Sequence, residues 1–260
     1  MVVRCREGGR IVHVAVVVAR GVGTDGHREV LGMDVFTTED GAAWVAFLRG
    51  LVARGLSGVH LVVSDALEGL KAAVASVLPG ASRQRCHTPF ARNLLTRVPK
   101  SAQPLFAAAV RSIFVQPSPE DVRAQHVRVV AQIERFPQAA ALLEETGRDI
   151  LAFTAFPKEH WRQIWSNNPQ ERLNKELCRH TDVVGIFPNR EAIIRLVGAV
   201  SCEQHDDWAV ARRPMSQESL AGAVRKQDSQ QITEAGMPKL DSPAAQSPKE
   251  VTRCPSLTPP

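Results

Sequence analysis

The chain contains no apolar run approaching the roughly 18 residues that a membrane-spanning helix needs; the longest is Val14 to Ala19. It shows no secretory signal either, because Met1 is followed by Arg4 and Arg6 but by no apolar core and no small-residue cleavage site. Its cysteines, Cys5, Cys86, Cys178, Cys202 and Cys254, are scattered, odd in number and without a C-x-x-C pair, which argues against a disulfide framework or a zinc ribbon. These absences together lead to the expectation of a soluble, cytoplasmic protein with no membrane partner. Charge of one sign is only mildly in excess. The 32 Lys and Arg against 27 Asp and Glu leave +5 and a pI near 9.2, which fits a polyanion partner without demanding one. At 260 residues the chain holds one large domain or two small ones, and its ordinary apolar fraction of 44% sets no class, so the class must come from patterning.

The most informative stretch runs from Gly58 to Asn93. Val59 to Ser64 (V-H-L-V-V-S) is short, mostly apolar and β-branched, the pattern of a strand buried on both faces, and it ends at Asp65. Leu67, Leu70, Val74 and Val77 then recur at helical steps until Pro79-Gly80 stops them. This junction puts one carboxylate at the carboxyl edge of a sheet, where open α/β folds bind ligands. Two roles remain open for Asp65 from these residues alone: a catalytic carboxylate, or a helix cap completed by Glu68 in a capping box.

Around that stretch the pattern predicts three antiparallel strands first, a hairpin over the first twenty residues turning at Arg6-Glu7-Gly8-Gly9 and a third strand from Glu29 to Phe36. A helix starting at Thr38 or Asp40 and running to Arg54 carries the apolar stripe Trp44, Phe47, Leu48 and Leu51. A short strand near Ala81 to Arg85 and a helix from Pro89 to Val98 follow. Between Ser101 and Trp165 no strand is predicted; Ala102 to Val115, Pro119 to Phe136 and Pro137 to Phe156 are helical in period, each bounded by a proline. Asn168-Pro169 begins another helix, with Asn168 as its cap, Leu173 and Leu177 on one face and Arg172, Lys175 and Arg179 on another. A last helix spans Arg190 to Arg212. The order β-β-β-α-β-α-β-α followed by helices predicts an α/β fold, an RNase H-like mixed sheet flanked by helices and interrupted by an all-helical insertion. The expected divisions are 1-98 for the first part of the core, 99-165 for the insertion, 166-214 for the closing helices and 215-260 for a disordered tail rich in Ser, Pro, Gln and Lys.

Several runs together resemble the bacterial branch of the Mutator-family transposases, DDE enzymes on an RNase H-like fold. They are R-E-V-L-G-M-D at 28 to 34, F-L-R-G-L-V-A-R-G-L-S-G at 47 to 58, V-S-D-A-L-E-G-L at 63 to 70, F-P-K-E-H-W-R-Q-I-W-S-N-N-P-Q-E-R-L-N-K-E at 156 to 176 and T-D-V-V-G-I-F-P-N at 181 to 189. The resemblance covers about residues 1 to 220. It implies that Asp65 and Glu171 are the second and third acids of a catalytic triad that holds two Mg2+ ions. Glu171 alternatively completes a capping box with Asn168. The first acid is expected just ahead of the segment matching Met1 to Gly9, outside these residues; Asp25, in a turn, and Asp34, in a strand, look like ordinary family positions. The implied reaction is cutting and joining of insertion-sequence DNA, with the terminal repeats and target DNA as partners and Arg92, Arg172, Lys175 and Arg179 as candidate backbone contacts. A homo-oligomer or a complex with intact transposase is expected. So is weakened or lost activity, the alternative function being that of a DNA- or transposase-binding remnant that modulates transposition.

Two local features qualify the resemblance. The family pattern of a cysteine followed three residues later by a histidine meets Pro89 at the histidine position, leaving His87 beside Cys86, so no metal is expected there and Cys86 reads as a small buried residue. Trp161 and Trp165, four residues apart, read as one buried helix face rather than as a platform for bases.

Overall fold

In the computed structural model, which describes residues 1–37 and 40–223, the chain opens as a long hairpin. Strands β1 (Val2–Glu7) and β2 (Arg10–Val22) pair antiparallel with Glu7 opposite Arg10. The turn needs positive φ at both central residues, and Gly8 (56°) and Gly9 (78°) supply it without a Cβ penalty. β3 (Arg28–Phe36) pairs antiparallel with β2, and a register shift falls between Ala19 and Arg20. A strand not foreseen from the sequence, β6 (Ile186–Phe187), pairs parallel with β1, giving a mixed sheet of order β3-β2-β1-β6.

Each face of this sheet carries its own helical layer. Val14 and Val16, with Val18 packed against them, face α9 (Asn168–Val184) and α10 (Arg190–Val210), and Leu173, Leu177, Ile193 and Val197 fill that interface. Val17, Ala19, Leu31 and Phe36 face the other way, onto α1 (Gly41–Ala53) and α2 (Glu68–Val77). The predicted stripe Trp44, Phe47, Leu48 and Leu51 is the buried face of α1, and Phe36 meets Trp44 and Phe47 edge-on at 5.9 and 6.1 Å. Asp40 caps this helix by accepting from the Ala43 amide at 2.8 Å; Thr38 lies outside the described residues.

β4 (Leu61–Ser64) and β5 (Ser82–Arg85) form a separate parallel pair, so the single sheet expected from the element order is divided. The edge of β1 away from β2 is taken by β6, and the β4–β5 pair is anchored elsewhere. Its anchor is the helical lobe that follows: α3 (His87–Leu95), α4 (Gln103–Phe114), α5 (Pro119–Gln132), α6 (Pro137–Glu145), the short α7 (Gly147–Ile150), a 3-10 turn (Ala152–Ala155) and α8 (Lys158–Ile164). This lobe has a core of its own, built on Phe90, Phe106, Ile113, Phe114, Val122, Val129, Leu143, Ile150, Phe153 and Trp161. The long helix predicted from Pro137 to Phe156 is broken into α6, α7 and the turn. Trp161 is a core residue, donating from Nε1 to the Phe156 carbonyl at 2.8 Å, and the partly buried Trp165 packs edge-on against Phe114 and Phe153 of the same core.

The lobe joins the β4–β5 pair through Gln84. Its side chain is fully buried, donating to the carbonyls of Arg85 (2.7 Å) and Ile150 (3.0 Å) and accepting from the Phe153 amide (2.8 Å). Past α10 the chain stays packed: Met215 is buried, the Pro214 carbonyl accepts from Gln163 at 2.6 Å, and residues 217–223 are helical, with the Ser219 hydroxyl 2.8 Å from the buried His160. Residues 224–260, the greater part of the stretch expected to be disordered, lie outside the described residues. Among the described residues no helix is long and apolar enough to cross a membrane.

Candidate active site

Asp65 stands where β4 ends. Its neighbour Ser64 is buried and donates from its hydroxyl to the Asp65 carbonyl at 3.1 Å, while the Ser64 carbonyl accepts from the Cys86 amide at 2.8 Å. The Asp65 side chain is exposed. It does not cap α2, whose N-cap is Leu67 without a side-chain hydrogen bond, because Ala66 and Leu67 separate it from the first turn; its carboxylate accepts instead from the adjacent Ala66 amide, at 3.3 Å. The capping-box reading of Asp65 is therefore set aside.

Glu171 lies in the first turn of α9. The cap of that helix is Asn167, one residue earlier than expected, and its side chain makes no capping bond. Both asparagines are used in tertiary contacts instead: Asn168 Oδ1 accepts from the Thr88 hydroxyl at 3.2 Å, and Asn167 Oδ1 accepts from Arg20 at 3.1 Å. The capping box of Asn168 and Glu171 is thus absent, and the Glu171 carboxylate is held by no such bond.

The segment leading into α9 is laced onto the residues that follow β5. The His87 amide donates to the Trp165 carbonyl at 2.9 Å, and the Asn167 amide donates to the Cys86 sulfur at 3.1 Å. Cys86 is thus a buried residue between the two acid-bearing elements. Burial raises its thiol pKa, the hydrogen bonds from the Asn167 and Thr88 backbone amides draw it partly back, and the negative charges of Glu171 and then Asp65 add smaller upward pushes. One thiol feels both carboxylates, although they are far apart in the chain. A thiol held protonated is a poor metal ligand. His87 turns away into the lobe, its ring 4.2 Å from that of Phe114 and its pKa lowered by burial and by Arg111.

Arg85, missed in the sequence reading, borders Asp65. Burial lowers its pKa, the charges of Asp65 and Asp149 oppose that shift, and its guanidinium lies over the Phe90 ring at 4.9 Å. Of the basic candidates, Arg92 is exposed on α3, and Arg172 and Lys175 are exposed on α9. Arg179 is exposed too, but its charge is offset by Glu176, which also accepts from His180. Two carboxylates suit Mg2+ in kind, since that ion takes hard oxygen donors and only one or two carboxylates while keeping several waters. Among the described residues no group of three His, Cys, Asp or Glu side chains is gathered for a metal.

Residues 1–211 match the family model described as "Transposase, Mutator family". The chain belongs to the Mutator family of transposases. It is 50% identical over 259 residues to the transposase for insertion sequence element IS1081 of Mycobacterium tuberculosis, covering 99% of this chain and 59% of that protein. It is 36% identical over 218 residues to the transposase for ISRM5 of Rhizobium meliloti, covering 84% and 55%, and 33% identical over 214 residues to the transposase for IS256 in transposon Tn4001 of Staphylococcus aureus, covering 81% and 55%. This member of the Mutator family thus spans between half and three fifths of the length of these relatives.

Proposed function

We propose that the chain carries the second and third acids, Asp65 and Glu171, of a DDE transposase core built on an RNase H-like plan, acting on the DNA of an insertion sequence. The observation that carries this reading is the lacing of residues 86–88 onto 165–168, which leaves the end of β4 and the first turn of α9 on either side of Cys86. Neither acid is spent on capping its own helix. Bound Mg2+ would supply charge to steady the attacking and leaving oxygens of an in-line displacement at phosphorus. Asp65 and Glu171 would hold it, Arg85 keeps positive charge beside Asp65, and Arg172 and Lys175 present cations toward a DNA backbone from the helix that bears Glu171. The 260-residue chain by itself is proposed to be weak or inactive in strand transfer, because two acids make a thinner site than three.

Iron-directed cleavage tests the metal site without requiring turnover. Fe2+ with ascorbate, substituting for Mg2+, is expected to cut the polypeptide near both residue 65 and residue 171, and Asp65→Asn or Glu171→Gln is expected to abolish both cuts. Cutting at one site only, or cutting indifferent to both substitutions, refutes the shared site. In a strand-transfer assay with Mg2+ and the terminal repeats flanking the coding sequence, turnover comparable to a complete relative refutes the proposed weakness.

A second reading is a binding protein that coats DNA or pairs with intact transposase, favoured by the exposed cations of α9, which need no acid to hold a phosphate backbone. Co-purification with a full-length transposase, together with no cleavage by Fe2+, would select it.

A further inference from the structure

β2 presents Val12, Val14, Val16 and Val18 toward the layer of α9 and α10, and Arg20 comes next in that alternation, where the apolar residues run out. Its guanidinium is largely removed from water and reaches the run-in to α9 by donating to Asn167 Oδ1 at 3.1 Å, while its Nε is buried and meets no protein acceptor among the described residues. Arg28 starts β3 opposite Val22, two residues along from Arg20 on the paired strand. Arg172 stands exposed on the first turns of α9, next to Glu171. Burial, and then the charge of Arg28, lower the Arg20 pKa to about 10; burial, and then the charge of Arg172, lower that of Arg28. None of the ion pairs among the described residues involves any of the three. The fold therefore gathers three like charges from three elements, none of them in an ion pair with a carboxylate among the described residues, an arrangement that costs stability unless an anion enters.

We propose that Arg20, Arg28 and Arg172 form a phosphate seat for a DNA strand, placed beside Glu171 by the Arg20–Asn167 hydrogen bond. The proposal deepens the transposase reading by naming where the strand's backbone enters. Arg20 braces the start of α9, whereas Arg28 and Arg172 are the two groups with accessible charge. Guanidinium forks match phosphate oxygens in pairs, so the seat suits a nucleic-acid backbone better than a point charge would.

The test is binding of a short labelled duplex across a salt series, followed by anisotropy, with the full chain. Arg28→Gln and Arg172→Gln are each expected to make the slope of log affinity against log salt shallower by about 0.9, the loss of one phosphate contact. Extrapolated from 1 M salt, that is about eightfold weaker binding at 0.1 M. Arg28→Lys, which keeps the charge, is expected to restore most of the slope. Wild-type slope and affinity in both Gln variants overturn the proposal, and so does a wild-type chain that fails to bind the duplex. Arg172→Gln, on an exposed position, reads the seat even where Arg28→Gln impairs folding. The metal reading fails separately: a chain whose seat binds DNA but which Fe2+ does not cut keeps the seat and loses the acids.

Discussion

Replacing Gln84 by Leu is expected to loosen the junction between the β4–β5 pair and the helical lobe. The two side chains are similar in size, so the change is chiefly in hydrogen bonding. Gln84 makes two bonds across that junction, to the Ile150 carbonyl at 3.0 Å and from the Phe153 amide at 2.8 Å, and both partner residues are fully buried. Leucine strands that amide and that carbonyl away from water. Each orphaned buried group costs about 1–3 kcal/mol, partly offset by about 1 kcal/mol from burying leucine carbon instead of an amide, for a net loss of about 3 kcal/mol. For a folded unit of this size such a loss lowers the melting temperature by about 6–12 °C. Urea denaturation followed by tryptophan fluorescence is the appropriate assay, because Trp161 sits in the lobe's core and Trp165 packs against it. Gln84→Glu should be no better, since a carboxylate still accepts from Phe153 but faces two carbonyl oxygens it cannot donate to. A loss below about 1 kcal/mol in the Leu variant, the size of one ordinary net hydrogen bond, would refute the assignment of this junction to Gln84.

Two further perturbations probe other joints. Gly26 has φ of 83°, and a Cβ there would run into the Met215 carbonyl oxygen, so Gly26→Ala is expected to cost at least about 1–2 kcal/mol from the backbone alone and to free the segment after α10. Trypsin should then cut more quickly after Arg212, and an unchanged digestion rate would count against it. At the opposite end of the sheet Arg190, at the start of α10, grips Glu7 of β1 and holds its carboxyl below its ordinary value of 4.5. A depressed carboxyl stabilises the fold above its unfolded value and loses that contribution as pH falls, so the gap in melting temperature between wild type and Glu7→Gln should shrink as pH drops below about 4.5. A gap that stays constant from neutral to about pH 3 would contradict the linkage.

Much of this architecture is legible in the residues because local periodicity and burial agree. The stripe of α1, the Gly8-Gly9 turn and the paired faces of α9 each follow from side-chain spacing that tertiary packing simply uses. What was not legible depends on where a polar group finds its partner. Asp65 and Asn168 both have the chemistry of a helix cap, and spacing offered that role to both, yet Asn168 meets Thr88 across the fold and Asp65 lies too far ahead of α2. β6 is two residues long, too short for any alternating pattern to register. The division of the sheet is likewise invisible in the element order, which says nothing of β6 taking the free edge of β1. Arg20 lies just past the apolar run of β2 and received no role from the residues alone, because its significance depends on Arg28 and Arg172, which only the hairpin register and the docking of α9 bring near it.

The backbone bond between His87 and Trp165 means that the chain leaves for the helical lobe and returns from it at practically one point. The inner edge of the lobe is tied back at Gln84, Arg83 and Ser219 as well, while its outer helices lie beyond that crossing. Lengthening or trimming the lobe's outer helices would alter its bulk and what it can touch, yet leave the spacing of Asp65 and Glu171 as it was. The two acids are insulated from changes confined to those outer helices.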